Sequence, residues 1–232
     1  MSGLSGDAMR MVKGRLAALQ DMGYRTFIAG LLPTLDQQKI LGVRTPALRK
    51  LAKELHAEGI ADAFMAALPH NLYEENNLHA YLLDFIRNIE HALELLERFL
   101  PHVDNWATCD ALILKAFDKD PSALLARVPI WLTDQNPYTQ RYAIGVLMRH
   151  YLGDRFEEEY LTTVGNHTSD EYYVNMMRAW YFSMALVKQW DATIPWLTEK
   201  RLDAWTHRKA IQKAVESHQI SAPRKDFLKT LR

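Results

Sequence analysis

The chain is predicted to fold as an all-α solenoid, a curved stack of antiparallel helix pairs. Three observations carry that prediction. Leu, Ala, Met, Lys, Glu and Arg dominate its 232 residues, with only 10 glycines and 9 prolines, and these dominant residues are all good helix formers. Helix-like apolar runs open near residues 72, 105, 137, 171 and 206, a spacing of 32 to 35 residues. A helix pair repeated at such a period is how an α-solenoid shows itself in sequence. No apolar/polar alternation of the kind a strand needs lasts beyond a few residues.

The elements follow in order. Residues 1–8 are short and rich in Gly and Ser, and read as a flexible N-terminal tail, leaving 9–232 as a single repeat domain. Thr45-Pro46 reads as a helix cap followed by proline at the first helical position. Leu72-Tyr73-Glu74-Glu75 opens a helix carrying Leu78, Tyr81, Leu82, Phe85 and Ile86. Asn105-Trp106 opens the next, with Leu112, Ile113, Leu114 and Phe117. Asn136-Pro137-Tyr138 opens a third, with Tyr142, Ile144, Leu147 and Tyr151. Asp170-Glu171-Tyr172 opens a fourth, with Val174, Met177, Trp180 and Tyr181, and Thr206-His207 a fifth, with Ala210, Ile211 and Ala214. Asp, Asn, Ser and Thr recur before these runs, where helix caps belong. Shorter helices are expected over 91–100, 121–132, 156–164 and 194–200.

Composition narrows the function classes. The charge is balanced, with 28 basic and 28 acidic residues, so nucleic-acid binding would need cations gathered on one face rather than a surplus. One cysteine, Cys109, excludes an intramolecular disulfide framework and any multi-cysteine metal site, and fits a reducing cytoplasm. Its neighbour Asp110 would raise the thiol pKa, which argues against a nucleophile. The nine histidines show no metal-ligand spacing. No stretch is long and apolar enough to suggest a membrane span. We expect a cytoplasmic monomer without metal or cofactor.

The long helices would line the inner surface of the stack and project Asp110, Lys115, Arg141, Arg149, Arg178, Arg208, Lys209 and Lys213, seven cations and one anion. Acidic residues sit elsewhere, as in Glu90, Glu94, Glu97 and the run Glu157-Glu158-Glu159. This is either the segregation that a neutral nucleic-acid binder requires or a set of ordinary solvated faces. Trp106 and Asp110 are four residues apart and so share a helix face one turn from each other. With Arg141 and Trp180 they would form an aromatic-walled notch holding an acid and a base.

In series, these segments resemble the AlkD-type DNA alkylation repair proteins, alkylpurine DNA glycosylases built from HEAT-like repeats. The resemblance spans most of the chain. It rests on Leu41-Gly42-Val43-Arg44-Thr45-Pro46, on Trp106 with Asp110, on Gln140-Arg141-Tyr142-Ala143-Ile144, on Met177-Arg178-Ala179-Trp180 and on His207-Arg208-Lys209-Ala210-Ile211. The resemblance implies hydrolysis of the N-glycosidic bond of a cationic N3- or N7-alkylated purine in double-stranded DNA, without base flipping and without a cofactor. Asp110 would stabilise the oxocarbenium ion, Trp106 and Trp180 would flank the lesion's sugar, and Arg141 would clasp a backbone phosphate. Arg44, Lys115, Arg149, Arg178, Arg208, Lys209 and Lys213 are the expected DNA contacts. Neither Tyr24 nor Phe27 is assigned to the site.

The same residues also have plain structural readings. Trp106 at a helix start is a core or staple residue, Asp110 favours the helix dipole, Arg141 pairs inside the stack, and Trp180 packs in the aromatic run with Tyr181 and Phe182. On those readings the chain is a non-catalytic DNA-binding or protein-binding helical-repeat scaffold.

Overall fold

The structure, a computed structural model, describes residues 2–232, with side chains from residue 6 onward. Among the described residues it is all-helical. It divides into two compact units, one ending at Asp120 and the other running Pro121–Arg232, and each is described by itself. In the first unit, helices α1 (Ser2–Ala18), α2 (Met22–Leu31), α3 (Thr45–Ala57), α4 (Ala61–Met65), α5 (Tyr73–Leu83), α6 (Ile89–Phe99) and α7 (Trp106–Ala111) follow in order. The second holds α8 (Ser122–Leu125), α9 (Val128–Leu132), α10 (Pro137–His150), α11 (Glu158–Asn166), α12 (Tyr172–Lys188), α13 (Trp190–Thr198), α14 (Ala204–Glu216) and α15 (Ala222–Thr230). Alternate helices stack within each unit, α3 on α5 and α5 on α7, then α10 on α12 and α12 on α14. That is the packing of a solenoid, where each repeat buries its apolar face on the next. No described helix is long and apolar enough to cross a membrane.

Local sequence explains most of the boundaries, and four expectations need correction. The helix begins at Ser2, inside the stretch read as a tail. Ala8, Val12 and Leu16, one turn apart, form a single buried stripe, and α1 packs on α4 through it. Arg44, not Thr45, holds the cap position of α3, and no side chain caps it. The helix expected over 121–132 is two short ones, because Pro129 has no N–H to continue the ladder and sits instead in the first turn of α9. The apolar run after Trp106 is likewise not one helix. It ends at Ala111, and the Asp84 carboxylate takes the Lys115 backbone N–H at 3.0 Å and its Nζ at 2.8 Å. Those bonds replace helical partners and fold Lys115–Phe117 into a 3-10 turn.

Helix α5 is buried along its whole length, since α3, α4, α6 and α7 all pack on it. It therefore carries polar side chains into the core, each needing a partner. Two are histidines. His70, in the preceding loop, and His79 share a 2.8 Å hydrogen bond between Nε2 and Nδ1. Phe64 stacks on His70 at 4.5 Å and Phe99 on His79 at 4.0 Å. Burial drives His70 from its ordinary 6.5 down to about 4, helped by the neighbouring His102 and Lys13. Burial also holds His79 well below the usual range, with His70, His102 and Arg98 adding to it.

Between these values the unfolded chain takes up the proton and the folded one does not, so stability falls as the pH drops through 6.5 towards 4. His70 alone is expected to remove about 2 kcal/mol by about pH 5. Urea midpoints measured from pH 7.5 to 4.5 check this. A His70→Phe variant should flatten the profile, and an unchanged slope in it would assign the acid sensitivity elsewhere.

Candidate active site

Helix α7 is placed by a buried polar network. Asn105 caps it, its Oδ1 accepting the Thr108 N–H at 2.9 Å. Its Nδ2 donates to Thr108 Oγ1 at 2.9 Å, and Thr108 Oγ1 donates to Asn77 Oδ1 of α5 at 2.9 Å. All three residues are nearly inaccessible to solvent. A helix of 6 residues is too short to hold itself in water, so this network supplies its rigidity. Trp106, its first residue, is half-buried. The indole packs on the cluster of Ile28, Leu32, Leu35, Ile40 and Tyr73, and its Nε1 donates to the Leu31 carbonyl at 3.2 Å. The ring is thus neither sealed in the core nor loose on the surface. Asp110 lies one turn further along α7 and is half-buried as well. Tyr24, left unassigned from the sequence, packs on the same cluster as Trp106.

The loop 41–44 is clamped from beneath. Glu74, fully buried, accepts the backbone N–H groups of Leu41 at 3.0 Å, Gly42 at 2.7 Å and Val43 at 3.2 Å. Gly42 adopts φ +91°, and a Cβ there would meet the Asp21 carbonyl oxygen at 2.5 Å, so only glycine fits. The Asp21 N–H donates back to the Gly42 carbonyl at 3.0 Å. Asp21 also caps α2 through the Tyr24 N–H at 2.9 Å and pairs with Arg44 Nε at 2.9 Å. Those two bonds, the Tyr24 amide first, hold its carboxyl below the usual carboxylate range. Arg44 is exposed and its guanidinium stands 5.1 Å from the Tyr24 ring centre. The work of Glu74 is to organise this loop. Glu74→Gln puts an amide N–H against backbone donors and is expected to destabilise the fold by about 1–3 kcal/mol. Chemical denaturation measures it, and an unchanged midpoint would remove the clamp.

In the second unit, Arg141 is 5% exposed and its Nη1 donates to the Tyr173 carbonyl at 2.7 Å. That bond braces α10 against the start of α12. Trp180, half-buried in the middle of α12, lines an open recess of about 240 Å³ with Ser183, Met184, Lys213, Glu216 and Ser217. Trp106 and Asp110 therefore share one helix, while Arg141 and Trp180 lie on two stacked helices of the other unit.

The expected DNA contacts divide. Arg208 is exposed, and Lys209 and Lys213 are partly so, all on α14. Lys115 is exposed but pairs with Asp84. Arg149 lies back over the Tyr142 ring, 5.5 Å from its centre. Arg178 is not a surface residue, which corrects its assignment: it is 2% exposed. Its Nη2 donates to the Gly165 carbonyl at 2.9 Å and its Nε to Val164 at 3.2 Å. Nη1 reaches Asn175 and Asp203 at 2.9 Å and Thr206 at 3.2 Å. A guanidinium has five fixed N–H groups, and here they close the end of α11, whose last carbonyls have no helical partner. Burial pushes the Asp203 carboxyl up, but bonds from Thr206 and Arg178 outweigh it and the pKa is lowered. Cys109 is buried at 1% exposure, and Glu157, Glu158 and Glu159 are exposed at the start of α11. Among the described residues, no three His, Cys, Asp or Glu side chains are grouped so as to hold a metal ion.

The sequence profile of a family described as DNA alkylation repair enzyme matches residues 12–214. That span includes Trp106, Asp110, Arg141 and Trp180. No curated protein matches the chain.

Proposed function

Because the chain belongs to the DNA alkylation repair enzyme family, whose role is DNA repair, we propose that it is a monofunctional glycosylase of cationic N3- and N7-alkylated purines in double-stranded DNA. The observation that carries this reading is α7: a half-buried indole fixed through Leu31, with a half-buried carboxylate one turn away.

Alkylation leaves a positive charge on the purine, so the base departs as a neutral molecule, taking the electron pair of the glycosidic bond. The charge moves to the deoxyribose as an oxocarbenium ion. Asp110 stabilises that ion electrostatically and orients the water that adds to the anomeric carbon, which then releases its proton. Tryptophan faces attract cations, so Trp106, one turn from Asp110 on α7, suits one side of the sugar, and Trp180 is the second indole assigned to cation binding. Arg141, buried and held by the Tyr173 carbonyl, supplies a fixed positive charge toward a backbone phosphate. Arg44, Arg208, Lys209 and Lys213 remain the expected contacts to the DNA backbone, which fix position and carry no sequence information. The roles assigned concern sugar and phosphate, so the base need not be flipped out.

Incubation with methylated duplex DNA is expected to liberate 7-methylguanine or 3-methyladenine. Duplex binding without base release would leave a non-catalytic DNA-binding protein. No binding to damaged or intact DNA would point to a scaffold for a protein partner.

A further inference from the structure

The starts of α12 and α14 carry an aromatic row that the proposed chemistry does not use. Tyr173 meets Tyr138 with ring centres 6.0 Å apart. Tyr172 contacts Tyr173 at 5.2 Å and Trp205 at 5.8 Å, edge to face in both cases. Packing does not account for Tyr172, which is 56% exposed, and Trp205 is also partly open. Cations adjoin the row. Lys209 Nζ stands 5.8 Å from the Trp205 ring centre. Trp205, Arg208, Lys209, Gln212 and Arg232 line a recess of about 430 Å³. The carboxylate at the start of α14, Asp203, is already taken up by Arg178 and the Thr206 N–H, so it offsets little of this charge.

Open aromatic faces beside a strip of cations suit an unpaired nucleotide. A base in a duplex is already stacked on its neighbours and offers no face to a tyrosine. An unpaired one does, while the cations follow its phosphates. We propose that this edge of the second unit binds a single-stranded DNA segment adjoining a duplex. Tyr172 and Trp205 stack unpaired bases, and Arg208, Lys209 and Arg232 hold the phosphates between them. The inference rests on the DNA reading above and names a part of the substrate that the glycosidic chemistry does not require.

Fluorescence anisotropy with duplexes of equal length, one blunt and the others extended by a single strand at the 3′ or the 5′ end, tests it. The extended DNA of one polarity or both is expected to bind about fivefold tighter or more, the low end of what a base stacked on an aromatic ring contributes. Tyr172→Ala and Trp205→Ala should each reduce that preference without changing blunt-duplex affinity, and Tyr172→Phe should keep it. Tyr172 is exposed, so its variants report on binding even where a Trp205 variant folds poorly. Equal binding of blunt and extended DNA by the unaltered protein overturns the inference while leaving the repair reading intact. A preference that survives both alanine variants also overturns it. Failure to bind any DNA removes both together.

Discussion

Asp110→Asn is expected to reduce the release of alkylated purine by on the order of 10²–10³-fold, the usual effect of removing one group aimed at developing transition-state charge. The substitution keeps the side chain's shape and removes only its charge, and charge is what an oxocarbenium ion responds to. Since Asp110 is half-buried on a helix fixed by Asn105, Thr108 and Asn77, the variant should fold normally. Single-turnover assays on methylated duplex DNA measure the rate, and circular dichroism checks the fold. Release equal to that of the unaltered protein would take Asp110 out of the chemistry, and the proposal would then lack its central group.

Arg178→Leu should destabilise the second unit by about 3–5 kcal/mol, since two carbonyls would lose partners inside the protein. The Val164 and Gly165 carbonyls account for most of this, because the Asp203 side chain is 45% exposed and water replaces the guanidinium there. Urea denaturation of the variant measures the loss. A surface cation at this position would behave in the opposite way, with DNA affinity reduced and stability untouched. That result would contradict the buried placement.

The sequence by itself determined the fold class. Strong helix formers, caps before apolar runs and a recurring interval are local features, readable wherever the helix period is regular. It also put Trp106 and Asp110 on one face of α7, because a spacing of four residues on a helix sets a shared face whatever packs around it. What it could not determine was which polar groups would end up buried. Arg178 and Arg208 sit in similar helical patterns, yet one closes the end of α11 and the other is open to solvent. Glu74 and Glu75 look like the start of a solvated helix, but α5 is enclosed by four neighbours and both carboxylates are buried. The run after Trp106 has a helical pattern through Phe117, and a carboxylate from residue 84 breaks it. Gly165, which partners Arg178, Asp84, which partners Lys115, and Leu41, which partners Glu74, lie 13 to 33 residues away in the chain. A charged group is exposed or buried according to whether such a partner arrives to offset its desolvation, and only the tertiary structure brings the partner to it.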